Sequence, residues 1–570
     1  MTTIVDKLKI AEYIKQYIPY LSVKEIKKII EIPPKEINFT YAFPVFKLAK
    51  HEKRAPIQIA QDLIKKISKP NFLEKIEAEG PYINFKVNPN IVLKNIYNLK
   101  EDYGRIREIE KQENRKTIVI EYPSPNTNKP LHLGHIRNML IGSSTANLLK
   151  YKGQKVFQVN LNNDRGIHIC KSMLAYKKLG DHKKPDKKPD HFVGDFYVKY
   201  NQLEQKDESI IEEAKELLKK WEEKDPEIRA LWKKMNNWAF QGFEETYEKF
   251  EIEFDKQYFE SDYYWKGKKL ILEGLEKGIF EETEDGAIIA PLSEQYNLPD
   301  KVLLRRDGTS IYITQDIYLA MLKKKDFQYD ISIYVVGNEQ DLYFKQLFKV
   351  LEMLGYEEEK YHLSYGMISL PEGKMKSREG NVVDADDLVE EIIDLAYEEV
   401  DKRYSKLSEA EKKERAKIIG MAALRFFILK ISPKTDFVFN PKESISFEGE
   451  TGPYVQYVYA RIESIINKSQ QKLTDNIDPS LYQHENEQAL IKELNYFPEI
   501  VNQAAEEYDI HLIPQYLLNL CQIFNSFYTT CPVIQKHKEL ERARLFLIKC
   551  VQLVIKKGLN LMDIQVLKEM

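Results

Sequence analysis

The stretch TIVIEYPSPNTNKPLHLGHIRNMLIGSSTANLLKY, residues 117–151, decides the fold. Thr117 to Ile120 is short and β-branched, as in a parallel strand buried on both faces. Prolines 123, 125 and 130, with Asn126 and Asn128, then make a loop. An apolar helix follows from about Gly134 to Tyr151. Amides at a helix N-terminus are unsatisfied and partly positive, so this junction suits an anion. Gly134 removes a side chain where a purine or phosphate approaches the backbone. His132 and His135, three apart, project from one side of the first turn. Each can donate a hydrogen bond to a phosphate oxygen as charge develops. The competing reading is that the two histidines only cap the helix.

Outward from this stretch, strand and helix patterns alternate. Val156–Val159 reads as a strand, Asp164–Tyr176 as a helix start and body, and Ile331–Val336 and Tyr361–Leu370 as strands around a helix at Asp341–Leu354. That order predicts an α/β domain with a doubly wound, Rossmann-type parallel sheet over residues 116–385. Residues from about 181 to 300 break the alternation. A Lys/Pro/Asp tract at 183–190 and long amphipathic helices at Glu208–Glu223 and Pro226–Phe250 read as an inserted helical segment. Residues 1–115 form a separate α+β module, with helices at Ile4–Ile18 and Pro56–Ile67, a strand at Tyr82–Val87 and a charged linker at Arg105–Arg115. The chain reads as nearly all helix after Leu388, giving a helical connector over 386–450 and an all-α bundle over 451–570.

A chain of 570 residues, 43% hydrophobic, is too long for one core. No run of eighteen apolar residues occurs, which excludes an ordinary membrane-spanning helix, and the N-terminus lacks the apolar core of a secretion signal. Cys170, Cys521, Cys531 and Cys550 are scattered. Their spacing supports neither a disulfide framework nor a zinc site and fits a reducing cytoplasm. Net charge is −3, but residues 1–115 carry 22 Lys and Arg against 15 Asp and Glu, a net of +7. A basic module on an acidic body suits local contact with a phosphate backbone; solvated lysine-rich helix faces explain the same charge.

A second segment, GMISLPEGKMKSREGNVV at 366–383, places Lys374, Lys376 and Arg378 between Gly373 and Gly380. A glycine-flanked basic loop can close over a triphosphate, or can simply be solvated. Together with His132-Leu133-Gly134-His135 it resembles the two ATP signatures of class I aminoacyl-tRNA synthetases, HIGH and KMSKS. The flanking residues resemble arginyl-tRNA synthetases in particular, over nearly the whole chain. The second signature is a partial match. Lys374 and Met375 agree with it, whereas Lys376, Ser377 and Arg378 replace its serine, second lysine and last serine. Arginyl enzymes often lack that second lysine, and a lysine just before the first signature takes its role. Lys129 stands there.

The resemblance implies a catalytic set of Lys129, His132, His135 and Lys374. It implies an ATP site of His132, Gly134, His135, Gly366, Met367, Lys374, Lys376 and Ser377. For arginine it implies Glu121, Asn126, Glu260, Tyr312, Asp316 and Gln340. The chemistry is coherent, because a guanidinium is a planar fork of five donors that wants a carboxylate and further acceptors. Asp316, four residues after Tyr312, shares a helix face with it, although an aspartate there can equally cap the helix.

Tyr457, Tyr528 and Met570 match positions that meet anticodon bases in the all-α anticodon-binding bundle, where aromatic stacking reads unpaired bases; core tyrosines at helical spacing are the alternative. The N-terminal module resembles the family's domain at the tRNA elbow. The resemblance further implies ATP with Mg²⁺ and no zinc, tRNA(Arg) and L-arginine as partners, no membrane, a cytoplasmic monomer, and adenylate formation that needs bound tRNA. The rivals are another class I synthetase, such as a cysteinyl or glutamyl enzyme, and a catalytically dead RNA-binding paralogue.

Overall fold

The structure, a computed structural model, describes residues 4–34, 36–105, 115–371 and 383–570. The chain divides into two units. One comprises Met1–Arg107, Tyr404–Phe426 and Ser444–Met570, and the other Glu108–Arg403 and Phe427–Glu443. The stretch 386–450, read as a connector, is therefore shared between the units. Its physical reason is visible in residues 427–443, which return to pair with a strand of the second unit.

In the first unit, strands β1 (Tyr41–Pro44), β2 (Leu73–Glu79) and β3 (Tyr82–Val87) form an antiparallel sheet in the order β1-β3-β2. The first helix is Lys7–Lys15, shorter than its apolar pattern, because Asp6 caps it by accepting from the Lys9 amide. Four long helices, Gly452–Lys468, Glu485–Glu507, Leu512–Thr530 and Lys538–Asn560, make the bundle. Asn495 Nδ2 donates to Val5 O at 3.0 Å and Tyr496 Oη to Thr40 O at 2.8 Å, tying the N-terminal module to it.

In the second unit, β4 (Thr117–Glu121), β5 (Lys155–Asn162) and β6 (Lys256–Phe259) are followed by a small antiparallel sheet of β7 (Glu281–Glu282), β8 (Ile288–Ala290) and β9 (Lys301–Leu304). Then come β10 (Ile331–Gly337), β11 (Glu359–Tyr365), and the short pair β12 (Ile368–Ser369) and β13 (Phe437–Val438). The main sheet is wholly parallel, in the order β11-β10-β4-β5-β6. Ile118, Val119 and Ile120 are buried at its centre, as their composition predicts. The helix Leu133–Tyr151 after β4 has 14 of its 19 residues buried and so lacks an amphipathic stripe.

One expectation is corrected. The segment 181–300 is not a single insertion, because β6 pairs with β5 inside it, Tyr258 opposite Leu161. As a four-residue edge strand, β6 reads Lys-Gln-Tyr-Phe, with neither a clean alternation nor the apolar run that marked β4. The helices Pro189–Lys206, Ile210–Glu222 and Pro226–Lys249 precede it, and the small sheet follows.

Chain order explains where a ligand goes. From β4 the sheet grows through β5 and β6 on one side and through β10 and β11 on the other. A crevice forms beyond the carboxyl ends of strands at such a switch point.

Candidate active site

A cavity of about 1020 Å³ opens at the ends of β4 and β10. Eleven of the residues singled out in the sequence line it: Glu121, Asn126, His132, Gly134, His135, Glu260, Tyr312, Asp316, Gln340, Gly366 and Met367. Lys129 is not among the lining residues, and Lys374, Lys376 and Ser377 fall outside the described residues.

The histidines both cap the helix and face the cavity. The Gly134 amide donates to His132 Nδ1 at 3.1 Å, and the His132 amide donates to His135 Nδ1 at 3.1 Å. This reciprocal box settles the tautomer. An Nδ1 that accepts leaves the proton of a neutral imidazole on Nε2, as a donor. Enclosure by protein, with the Lys129 charge nearby, pushes His132 down to about 3. Enclosure, the facing His132 and Lys129 hold His135 well below its ordinary value. Both are thus neutral donors at physiological pH. A Cβ on residue 134 would lie 3.0 Å from His132 Cε1, so glycine lets the ring stand where it does.

A second strand of backbone braces this cap. Leu133 N donates to Val383 O at 3.1 Å and Ala385 N to Leu131 O at 3.0 Å. Asp384 Oδ1 accepts the Asp386 amide at 2.8 Å, starting the helix Ala385–Arg403. Asp386 in turn holds Lys188 and Lys249, each at 2.7 Å, and His191 Nε2 lies 3.1 Å from Asp384. Burial pulls His191 down, but the carboxylates of Asp384, Asp386 and Asp190 outweigh it and hold it up at about 10. Asp190, His191 and Asp386 bring ligand-type atoms within 4.8 Å of one another. Lys188 and Lys249 already supply the positive charge there.

Arg137 is a buried residue beside the cavity that the motifs do not single out. It is fully buried one turn into the helix, with no carboxylate within ion-pair distance among the described residues. Its guanidinium instead donates to five carbonyls: Gly366 at 2.6 Å, Met367 at 3.2 Å, Ser432 at 3.4 Å, and Pro433 and Thr435 at 2.9 Å. Desolvation pulls it down to about 10, still charged at neutral pH. It thereby clamps the 366–367 turn to the loop that leads into Asp436, Phe437 and Val438, all three on the cavity wall. Asp436 Oδ1 accepts the Met367 amide at 2.6 Å, and a Cβ on residue 366 would lie 2.4 Å from that oxygen. A lysine at 137 keeps the charge but loses the fork. At the ATP site that the resemblance implies at Gly366 and Met367, Arg137→Lys is expected to raise the KM for ATP about tenfold, from one or two lost buried hydrogen bonds, and to leave the KM for the amino acid unchanged in steady-state assays.

The opposite end of the cavity is acidic. Glu121 Oε2 pairs with buried Lys323 Nζ at 2.7 Å, and that ammonium sits 3.8 Å over the Tyr334 ring. Glu260 Oε1 lies 3.4 Å from Arg165, which also holds Glu222 at 2.6 Å. Burial pushes Glu260 up to about 7, against the pull of Arg165 and with Asp164 and Asp316 adding to the rise. Asp164 anchors that turn by accepting the Ser261 amide at 2.9 Å and hydroxyl at 2.6 Å.

Among the described residues, no lysine, arginine or histidine forms an ion pair with Asp316. Its carboxylate accepts a hydrogen bond from the Tyr343 hydroxyl. Desolvation pushes it up to about 7; Tyr343 and Lys323 pull against this and Glu121 with it. It does not cap its helix, because it sits in the second turn of Tyr312–Phe327 with its carboxylate turned to Tyr343. Tyr312, 70% exposed, opens that helix on the same face, with its ring free to cover a ligand.

Comparisons with known proteins place the chain in a family. The family model described as tRNA synthetases class I (R), catalytic domain, matches residues 99–441. The chain belongs to the arginyl-tRNA synthetase family. Models of the arginyl-tRNA synthetase N-terminal domain and the DALR anticodon binding domain match residues 7–87 and 455–570. The arginine–tRNA ligase of Treponema denticola is 44% identical, covering 95% of this chain and 94% of its own. That of Treponema pallidum is 42% identical, covering 96% of each. The solved structure of Thermus thermophilus arginyl-tRNA synthetase superposes with a TM-score of 0.82 at 26% identity over 98% of both chains.

In the DALR domain, Arg461 joins two of the three tyrosine and methionine positions read from the sequence. Its guanidinium lies 4.6 Å from the Tyr457 ring centre and 5.3 Å from that of Tyr528, and it donates to Tyr457 Oη at 3.0 Å. Tyr528 is 42% exposed and stacks on Phe524, so it is not a core tyrosine. Met570 is half-buried at the chain end.

Proposed function

We infer that the cavity at the ends of β4 and β10 is where this arginine–tRNA ligase activates its amino acid. The carboxylate of arginine attacks the α-phosphorus of ATP, giving arginyl-adenylate and pyrophosphate. The terminal ribose hydroxyl of tRNA(Arg) then takes the arginyl group and AMP leaves. The substrates bring both nucleophiles, so the protein's work is to position them and stabilise charge.

One observation carries the assignment of residues. A carboxylate with no cationic partner among the described residues, Asp316, and a helix N-terminus capped by two neutral histidines face the same space. We assign the guanidinium to Asp316, with Tyr312 over it and Glu260 nearby. Asn126, Gln340 and the free oxygen of Glu121 meet the α-amino and carboxylate groups. His132 and His135 donate to the phosphates through Nε2, and Gly134, Gly366 and Met367 border the nucleotide. Lys129, without an acidic partner among the described residues, adds positive field behind the histidines; Lys374, Lys376 and Ser377 complete the set from the second signature. Magnesium arrives on the triphosphate as part of the substrate.

Pyrophosphate exchange measured over the twenty amino acids, with and without tRNA, tests this. Exchange with arginine alone, requiring tRNA, is the expected result. Exchange with another amino acid, or none even with tRNA, contradicts it.

On the bundle we assign Tyr457, Tyr528 and Met570 to anticodon bases. Tyr528→Ala is then expected to raise the KM for tRNA about tenfold, the worth of one stacked base, with the KM for arginine unmoved. The reading as a cytoplasmic monomer rests on the family.

A further inference from the structure

Tyr343 opens one side of the acidic end, and neither the motifs nor the family match points to it. It lies on the helix Asp341–Met353, lines the cavity, and donates its hydroxyl hydrogen to Asp316. Its ring packs edge-on against Phe344 at 5.5 Å, and Lys301 lies 5.1 Å over its face. A phenol that spends its one hydrogen on a carboxylate keeps lone pairs as acceptors. Its oxygen and the free oxygen of Asp316 then form two adjacent acceptors, the complement of one edge of a guanidinium.

We propose that Tyr343 is a specificity-determining positioning residue, which fixes the Asp316 carboxylate and completes with it a two-acceptor fork for the substrate guanidinium. The proposal rests on Asp316 as the guanidinium partner. A point-like ammonium fills only one position of such a fork. A neutral ureido group leaves the carboxylate without its counter-charge. The charged and titratable groups that face Asp316 are Tyr343, Glu121 with its Lys323, Glu260, Tyr263 and Tyr334. Glu121 and Glu260 disfavour its ionisation. The Tyr343 hydrogen bond and Lys323 favour it, so Tyr343 also helps keep the carboxylate in its binding form.

Arginine binding to the full-length chain, followed by calorimetry from pH 6 to 9 in buffers of different ionisation enthalpy, tests the proposal. Tyr343→Phe keeps the ring and its packing. It is expected to weaken arginine binding about tenfold at neutral pH, the worth of a hydrogen bond to a charged group. The pH of maximal proton release is expected to move up by about half a unit or more. The KM for ATP stays within about twofold, and discrimination against lysine falls by about tenfold. An unchanged affinity and unchanged midpoint overturn the proposal, as does an equal rise in the KM for ATP. Asp316→Asn is measured beside it. If that variant binds arginine normally, the assignment of Asp316 itself is wrong. If it does not, and Tyr343→Phe does, only the role of Tyr343 fails.

Discussion

Asp316→Asn is expected to raise the KM for arginine by about 10²–10³-fold, the usual cost of removing one partner of an enclosed charge pair. Asparagine keeps the shape and can still accept from Tyr343, but it brings no charge to the guanidinium. Glu121 cannot substitute, since Lys323 already holds it at 2.7 Å, and Glu260 already faces Arg165. The KM for ATP stays within about twofold, because the histidine pair and the Arg137 clamp are untouched.

The same residue sets a pH dependence. Without arginine, desolvation holds Asp316 up at about 7, and below that pH it is protonated. Arginine binds the carboxylate, so each pH unit below about 7 costs roughly tenfold in affinity, and the dependence levels off above it. The sign for stability follows from the same shift. The folded chain holds a proton here that the unfolded chain has released between about pH 4 and 7, so this group's contribution to stability falls as pH rises through that window. A bound guanidinium reverses that loss. Thermal melts are expected to show a larger arginine-induced rise in Tm at about pH 8 than at about pH 6, and Asp316→Asn abolishes the difference.

His132→Asn and His135→Asn are each expected to lower the rate of adenylate formation by about 10²–10³-fold, as does removing a donor aimed at developing negative charge. Asparagine is itself a good cap, with an acceptor close to where Nδ1 stood. The substitution therefore deletes the Nε2 donor while sparing the helix start, and Tm is expected to hold. With His132 at about 3, protonation of this ring does not shape the rate between about pH 6 and 8. Single-turnover kinetics with arginine saturating measures this directly. A variant that loses Tm and rate together would instead make the histidines caps only.

Much of this site is legible in the sequence because its parts are local. Strand, loop, glycine and histidines lie within residues 117–135, and Tyr312 with Asp316 lies within one helical turn. What stays hidden comes from distant pairing or from composition. Asp436, Phe437 and Val438 reach the cavity through the two-residue strand β13, whose pairing with β12 spans about seventy residues and leaves no local pattern. Lys323 looks like part of a solvated run with Lys324 and Lys325, yet it is buried against Glu121. Tyr343 is one of 35 tyrosines, and nothing in its neighbours distinguishes it from a core residue. Arg137 was detectable. A charge in the buried, apolar and small-residue first half of a helix must find buried acceptors, and it finds five carbonyls. The edge strand β6 escaped because four residues, Lys256-Gln257-Tyr258-Phe259, are too few and too polar to show a strand period.

The central claim is that one cavity holds the guanidinium at Asp316 and the phosphate at the histidine-capped helix. A crystal structure of the chain with a non-hydrolysable arginyl-adenylate analogue tests it most directly. The account predicts the guanidinium within hydrogen-bonding distance of Asp316 and Tyr343, and the phosphate surrogate within that distance of Nε2 on His132 or His135. An analogue bound with its guanidinium away from Asp316, or with its phosphate surrogate clear of both histidines, would contradict it.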